Sequence, residues 1–254
     1  MIIAALIICS VANQQNRVIP VGTAGRNEDA KQKFRGETSG ECGSLHWEFD
    51  TTSRSLTISG SGNMTCTNQT YSPWQEFQNE TEHVDIGDGV TSIGQYAFYG
   101  HGNLTSINIP SSVSVINSNA FSGCTNLQTI TISSDSNITS IGEQAFYGCK
   151  SLSSITLPEN VSSIGEYAFN GCSNLTSINI PSTVSVINNN TFNGCTNLQT
   201  ITIPSDSNIT SIGKYAFYGC KSLLSITLPE TVSSIGESAF YGCSNMTYFR
   251  FQKW

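Results

Sequence analysis

Ala120-Phe121-Ser122-Gly123-Cys124, followed by Leu127-Gln128-Thr129-Ile130-Thr131-Ile132, is the stretch whose reading decides the fold. The phrase returns as Ala145-Phe146-Tyr147-Gly148-Cys149, followed by Leu152-Ser153-Ser154-Ile155-Thr156-Leu157-Pro158. Its phenylalanines stand at Phe98, Phe121, Phe146, Phe169, Phe192, Phe217 and Phe240, at spacings of 23, 25, 23, 23, 25 and 23 residues. A fixed period in that range indicates a solenoid in which each unit packs only on its neighbours. Such a period reads out architecture and leaves the ligand open.

Each unit has three parts. The first, Leu-x-x-Ile-x-Ile as in Leu104 to Ile109 or Leu175 to Ile180, places apolar residues at period two and predicts a strand with one face in the core. A proline usually follows (Pro110, Pro158, Pro181, Pro204, Pro229) and ends pairing, because it has no N–H to donate. The second part, Val-x-x-Ile as in Val161 to Ile164, is long enough only for a bridge or brief strand. The third, Gly-x-x-Ala-Phe-x-Gly-Cys, reads as a helical turn with Phe inward. The Gly or Asn that opens it (Gly94, Asn117, Gly142, Gly165, Asn188, Gly213, Gly236) is expected to be left-handed. The Gly before the Cys suits a C-terminal cap. Asn103–Ser173 matches Asn174–Ser244 at all but 11 of 71 positions, so much of this uniformity reflects duplication; Glu143 becomes Lys214, Ser153 becomes Leu224 and Ala120 becomes Thr191. The 25-residue spacings come from Ser134-Asp135-Ser136-Asn137 and Ser205-Asp206-Ser207-Asn208, read as turns and not as calcium loops.

Upstream, Met1 to Ala12 (1–12) reads as a secretory signal, with an apolar Ile2–Ile8 run and small residues at Ser10-Val11-Ala12. It lacks a positive start, which leaves a trimmed N-terminus or a buried strand as the alternatives. Residues 13–39 are polar and read as a flexible leader. Residues 40–80 are expected to form an N-terminal β cap: Leu45 to Phe49 and Leu56 to Ile58 alternate as a hairpin around Asp50–Ser55, and Trp47 and Trp74 would plug the open end of the core. The solenoid occupies 81–254. No stretch is long and apolar enough for a membrane helix. A net charge of −7 with a pI of about 4.9 and no basic cluster argues against nucleic acid and anionic membrane as partners.

At this point the residues carry a resemblance. Ala-Phe-x-Gly-Cys-x-x-Leu-x-x-Ile-x-Ile-Pro with Val-x-x-Ile-Gly resembles the BspA-like leucine-rich repeat of bacterial, trichomonad and amoebic surface proteins. Gly40-Glu41-Cys42-Gly43, Leu45-His46-Trp47 and Pro73-Trp74 resemble the segment that precedes such repeats. The resemblance implies a leucine-rich-repeat-like α/β horseshoe and adhesion to host or neighbouring cells or to matrix proteins, from a secreted or surface location. Pro replaces the Asn of common leucine-rich repeats, and His101 stands where other units have Cys. Members often carry a C-terminal membrane anchor; here the chain closes on Phe251-Gln252-Lys253-Trp254, and secretion or a shortened gene product is the expectation.

Chemistry is sparse. Cys124, Cys149, Cys172, Cys195, Cys220 and Cys243 share one position and are expected to form a column of small buried thiols. Cys42 and Cys66 are the one pair left for a bridge, and bridged or free both stay open. His46, His83 and His101 are scattered, without a Cys-x-x-Cys pair or an orienting carboxylate, so no metal, cofactor, small-molecule substrate or enzymatic activity is expected. Ten Asn-x-Ser/Thr sequons, Asn103 and Asn160 among them, would accept glycans in a eukaryotic secretory route.

The remaining candidate site is the outward face of the strands: Ser106, Asn108, Thr129, Thr131, Ser154, Thr156, Ser177, Asn179, Thr200, Thr202, Ser225 and Thr227, with Tyr248 and Arg250 as the residues of hot-spot type. Three functions compete for it. The first is adhesion through many weak contacts, the second a structural spacer with no ligand, and the third a glycan or ice lattice on the Thr129/Thr131 and Thr200/Thr202 rows.

Overall fold

Period-two alternation in Leu-x-x-Ile-x-Ile becomes strand in the computed structural model, which describes residues 38–67 and 72–252. In Ser106–Ile109 the burial alternates, with Ile107 and Ile109 inside and Ser106 and Asn108 outside. The expected signal segment and all but the last two residues of the expected leader lie outside the described residues.

The main sheet begins as an antiparallel meander, Ser39–Cys42, Leu45–Asp50 and Ser55–Gly60, and then turns parallel through His83–Ile86, Ser106–Ile109 and Thr129–Ile132. Its first strand starts at Ser39, inside the stretch expected to be leader. The rows continue through single bridges, Thr129 to Ser154 and Ser154 to Ser177, then through Ser177–Asn179 beside Thr200–Thr202 and Ser225–Pro229 beside Tyr248–Gln252. The Val-x-x-Ile segments form a second set of short parallel pairs, such as Val115–Ile116 with Ser140–Ile141 and Ser211–Ile212 with Ser234–Ile235. The result is a β-solenoid of about seven coils.

The third part of each unit is a run of hydrogen-bonded turns, not the helical turn expected from sequence. Its N–H groups alternate in direction. Asn119, Phe121 and Gly123 donate forward to the carbonyls of Glu143, Ala145 and Tyr147 in the next coil at 2.9, 2.8 and 2.7 Å. Ala120, Ser122 and Cys124 donate back three residues within their own coil. A helix would keep every N–H inside the segment; here half of them tie coil to coil, a third ladder beside the two sheets. Among the described residues the one helical element is the 3-10 turn Gln75–Phe77.

The left-handed residues also sit elsewhere than expected. The Gly94-type position has ordinary φ; positive φ falls two residues later, at Tyr96, Asn119, Gln144, Tyr167, Asn190, Tyr215 and Ser238. Space is what keeps Gly142 a glycine, because a Cβ there would lie 2.4 Å from the Ser118 nitrogen of the coil before. Where Asn stands at this position its carboxamide is used: Asn117 and Asn188 donate to the carbonyls of Ile93 and Ile164 at 2.7 Å. The glycine before each Cys does adopt positive φ, from +69° to +78°, as a cap requires.

Down the interior the marker phenylalanines form a column of near-parallel rings, 5.2 to 5.6 Å between neighbours. All but Phe240 are fully buried, each worth roughly 2–3 kcal/mol of transfer free energy. The cysteines beside them are free and more than filler: each thiol donates to the carbonyl of the phenylalanine in the preceding coil, as Cys149 Sγ to Phe121 O at 3.2 Å. Burial pushes these thiols up, Cys172 to about 12 and the half-buried Cys243 to about 11.

At the start of the column Trp74 lies against Phe98 with centroids 6.1 Å apart, donates Nε1–H to the Ala97 carbonyl at 2.7 Å and meets Trp47 edge-on. Phe77 stacks on Phe49 at 4.3 Å. Cys42 and Cys66 are bonded, their Cα atoms 5.2 Å apart. The wide loops are ordered by serine: Ser136 and Ser207, both buried, accept hydrogen bonds from the N–H of Ile138 and Ile209 through their hydroxyls.

Candidate binding surfaces

Pleating aligns the outward residues of successive strands into two columns. One runs through Ser106, Thr129, Ser154, Ser177 and Thr200 and the other through Asn108, Thr131, Thr156, Asn179 and Thr202. Ser225 with Tyr248, and Thr227 with Arg250, extend them at the last two strands. All fourteen candidate positions are exposed apart from Ser225, which is half-buried. Through the middle of the chain the face is small, hydroxylic and uncharged.

Its end differs. Arg250 lays its guanidinium over the Tyr248 ring, 4.7 Å from the centroid. Leu224 stands 49% exposed at the edge of a depression of about 270 Å³ lined also by Thr200, Thr202, Ser225 and Thr227, where the strands Thr200–Thr202 and Ser225–Pro229 are neighbours without a paired ladder. Sequence reasoning placed Tyr248 and Arg250 on this face and missed Leu224 as a partner to them. The signal was there, since Ser153 to Leu224 is the one change between the duplicated blocks that puts a large aliphatic side chain at an exposed position.

The duplicated blocks show a second pattern. None of the 11 differences falls on an outward strand position, whereas seven (118, 120, 122, 143, 144, 167 and 170 in the first block) fall within the Gly-x-x-Ala-Phe-x turns. Thr191, replacing Ala120, stays buried by donating its hydroxyl to the Asn188 carbonyl at 2.8 Å. The other six alter a surface the strand-centred reading passed over. Tyrosines dominate it: Tyr99, Tyr147, Tyr218 and Tyr241 are exposed, and Tyr218 stacks on Tyr241 at 5.2 Å.

The histidines divide. His46 does have a carboxylate neighbour, contrary to the sequence reading, with Nδ1 3.1 Å from Glu41 Oε1 across the first antiparallel pair; both side chains are open to solvent, and no thiol or hydroxyl is hydrogen-bonded to the ring. His101 is fully buried against Phe98, with Nε2 unpartnered, and desolvation pushes its pKa down to about 4. Among the described residues no group of three His, Cys, Asp or Glu could hold a metal ion, and no helix is long and apolar enough to cross a membrane.

Residues 75–199 and 186–253 match the BspA type leucine-rich repeat region, in six copies, which is well over half of the sequence. The chain belongs to this family. A leucine-rich cell surface protein from Faecalibacterium prausnitzii is similar in structure, with a TM-score of 0.61 and 29% identity over 85% of this chain and 55% of that one. The chain thus spans just over half the length of that relative. Leucine-rich repeat proteins of Eubacterium ventriosum (24% identity over 82% of this chain and 70% of that one, TM-score 0.49) and T. pallidum (21% over 82% and 90%, TM-score 0.43) are more distant. No curated protein matches the sequence.

Proposed function

We propose that the chain is a secreted or cell-surface protein that adheres to proteins of host cells, neighbouring cells or the extracellular matrix through its strand face. The observation that carries the reading is the cluster at the end of that face. Leu224, Tyr248 and Arg250 together supply an aliphatic side chain, an aromatic ring and a cation stacked on it, the residue chemistry that concentrates binding energy at protein interfaces. The hydroxyl columns leading to it offer many weak contacts that add through multivalency. A disulfide at Cys42–Cys66 fits an oxidising compartment, and the similar F. prausnitzii protein is described as a cell surface protein.

Binding of the recombinant chain to host-cell surfaces and immobilised matrix proteins tests this. Saturable binding that falls at least tenfold in Tyr248→Ala/Arg250→Ala, and again in Leu224→Ser, supports adhesion through the cluster. No binding beyond a composition-matched control overturns it and leaves the spacer reading, which the uncharged middle of the face favours. The lattice reading has less support, because Ser and Asn coils interrupt the Thr rows.

A further inference from the structure

The turn face carries a built cleft at the coil of Phe121. Tyr99 and Tyr147, 47% and 43% exposed, stand in the coils on either side of it and wall a space of about 620 Å³. Successive phenylalanine rings are 5.2 and 5.4 Å apart here, so positions two coils apart are separated by about 10 Å. Tyr96 packs edge-on against Tyr99 at 5.7 Å and holds that wall. The floor is polar and recessed. Asn119 is 8% exposed and Ser122 4%, both line the cleft, and neither side chain has a hydrogen-bond partner among the described residues. Their polar atoms open into the cleft, where water or a ligand can satisfy them.

We propose that this cleft binds a neutral pyranose unit of a glycan. A flat ring touching both walls at 3.5–4.0 Å fills only about 7–8 Å. A saturated ring, with hydrogens on both faces, is thicker and presents C–H groups to each tyrosine. Its edge carries hydroxyls that both donate and accept, which is what a carboxamide and a serine hydroxyl complement. Aromatic walls with a few convergent polar groups are the usual make-up of a small-molecule site. The charge is sparse, with Lys150 at the rim as the one cation lining the cleft, so the site is not built for a polyanion.

The duplicated block contains the same place in another state. Asn190 keeps the place of Asn119, Asn193 replaces Ser122, and Asn193 donates to the Asn190 carboxamide oxygen at 2.9 Å. Tyr215 stands where Gln144 stood, and the space shrinks to about 300 Å³. There the floor satisfies itself and one wall is missing, because Asn170 stands at the position of Tyr99, so the second cleft lacks what the first offers a ring.

Saturation-transfer NMR and calorimetry of the full chain against neutral gluco-, galacto- and manno-oligosaccharides, N-acetylated forms included, test the proposal. Saturable binding is expected with at least one series. It should fall at least tenfold in Tyr147→Ala and in Ser122→Asn, which rebuilds the self-satisfied floor, and persist in Tyr218→Ala. Because these side chains lie at the surface or line the cleft, circular dichroism of each variant should match the parent. No saturable binding of any neutral series, binding restricted to sulfated or carboxylated sugars, or equal loss in Tyr218→Ala would overturn it.

Discussion

At the scale of the residue, His101 shows what the shared cysteine position demands. A thiol there is neutral and hydrogen-bonds a carbonyl; an imidazole stays neutral below pH 6.5 because burial holds its pKa at about 4 against the ordinary 6.5. The unfolded chain therefore binds a proton at this site between pH 6.5 and 4 that the folded chain refuses, and stability is lost as pH falls through that window. His101→Cys should remove about 2 kcal/mol of the stability difference between pH 7 and pH 5, read from urea unfolding at the two pH values; an unchanged difference would mean that His101 titrates normally. The thiols run the other way: folded values raised above the ordinary thiol value of 9.0 mean that their contribution holds below pH 9 and is lost as pH climbs toward about 11 at Cys243 and about 12 at Cys172.

At the scale of the element, the turn segment separates two reasons for glycine. At Gly142 a Cβ would strike the Ser118 nitrogen, while at Gly148 nothing lies within 4 Å and only a φ of +69° disfavours a side chain. Gly142→Ala should thus cost about 3 kcal/mol and Gly148→Ala about 1 kcal/mol, measured by denaturant unfolding; the reverse order would contradict the coil-to-coil contact. This element also marks what sequence could and could not tell. Strand alternation, the phenylalanine column and the capping role of Gly148 and its counterparts follow from period and residue type alone. The alternating hydrogen bonds do not, because each donor's partner sits 22 to 24 residues on, and a local pattern of Gly, Ala and Phe reads as a helix when those partners are ignored. The left-handed residue was misplaced for the same reason: Gly94 and Asn117 look permissive locally, but the constraint on them comes from the neighbouring coil. On the candidate site, the strand columns were legible from period two. Asn119 and Ser122 were not, since nothing local says that two tyrosines one coil away on either side enclose them.

At the scale of the whole molecule, contacts run between neighbouring coils, so stability should follow position along the stack. The Gly219 N–H donates to the Tyr241 carbonyl at 2.8 Å, whereas the Gly242 N–H has no backbone partner among the described residues. Hydrogen exchange should accordingly be slow at Gly219 and fast at Gly242. The Cys42–Cys66 bridge closes a 24-residue separation at the other end, and Cys42→Ser/Cys66→Ser should lower stability by about 2–4 kcal/mol.

The central claim is that Ala-Phe-x-Gly-Cys is scaffold: its thiols are sealed between stacked coils, and binding belongs to the surfaces around it. Thiol alkylation read peptide by peptide by mass spectrometry tests this most directly. Under native conditions Cys243 should label slowly, and Cys124, Cys149, Cys172, Cys195 and Cys220 should stay unmodified until denaturant unfolds the stack. Labelling of Cys149 or Cys172 in the native protein as fast as in denaturant would contradict the account.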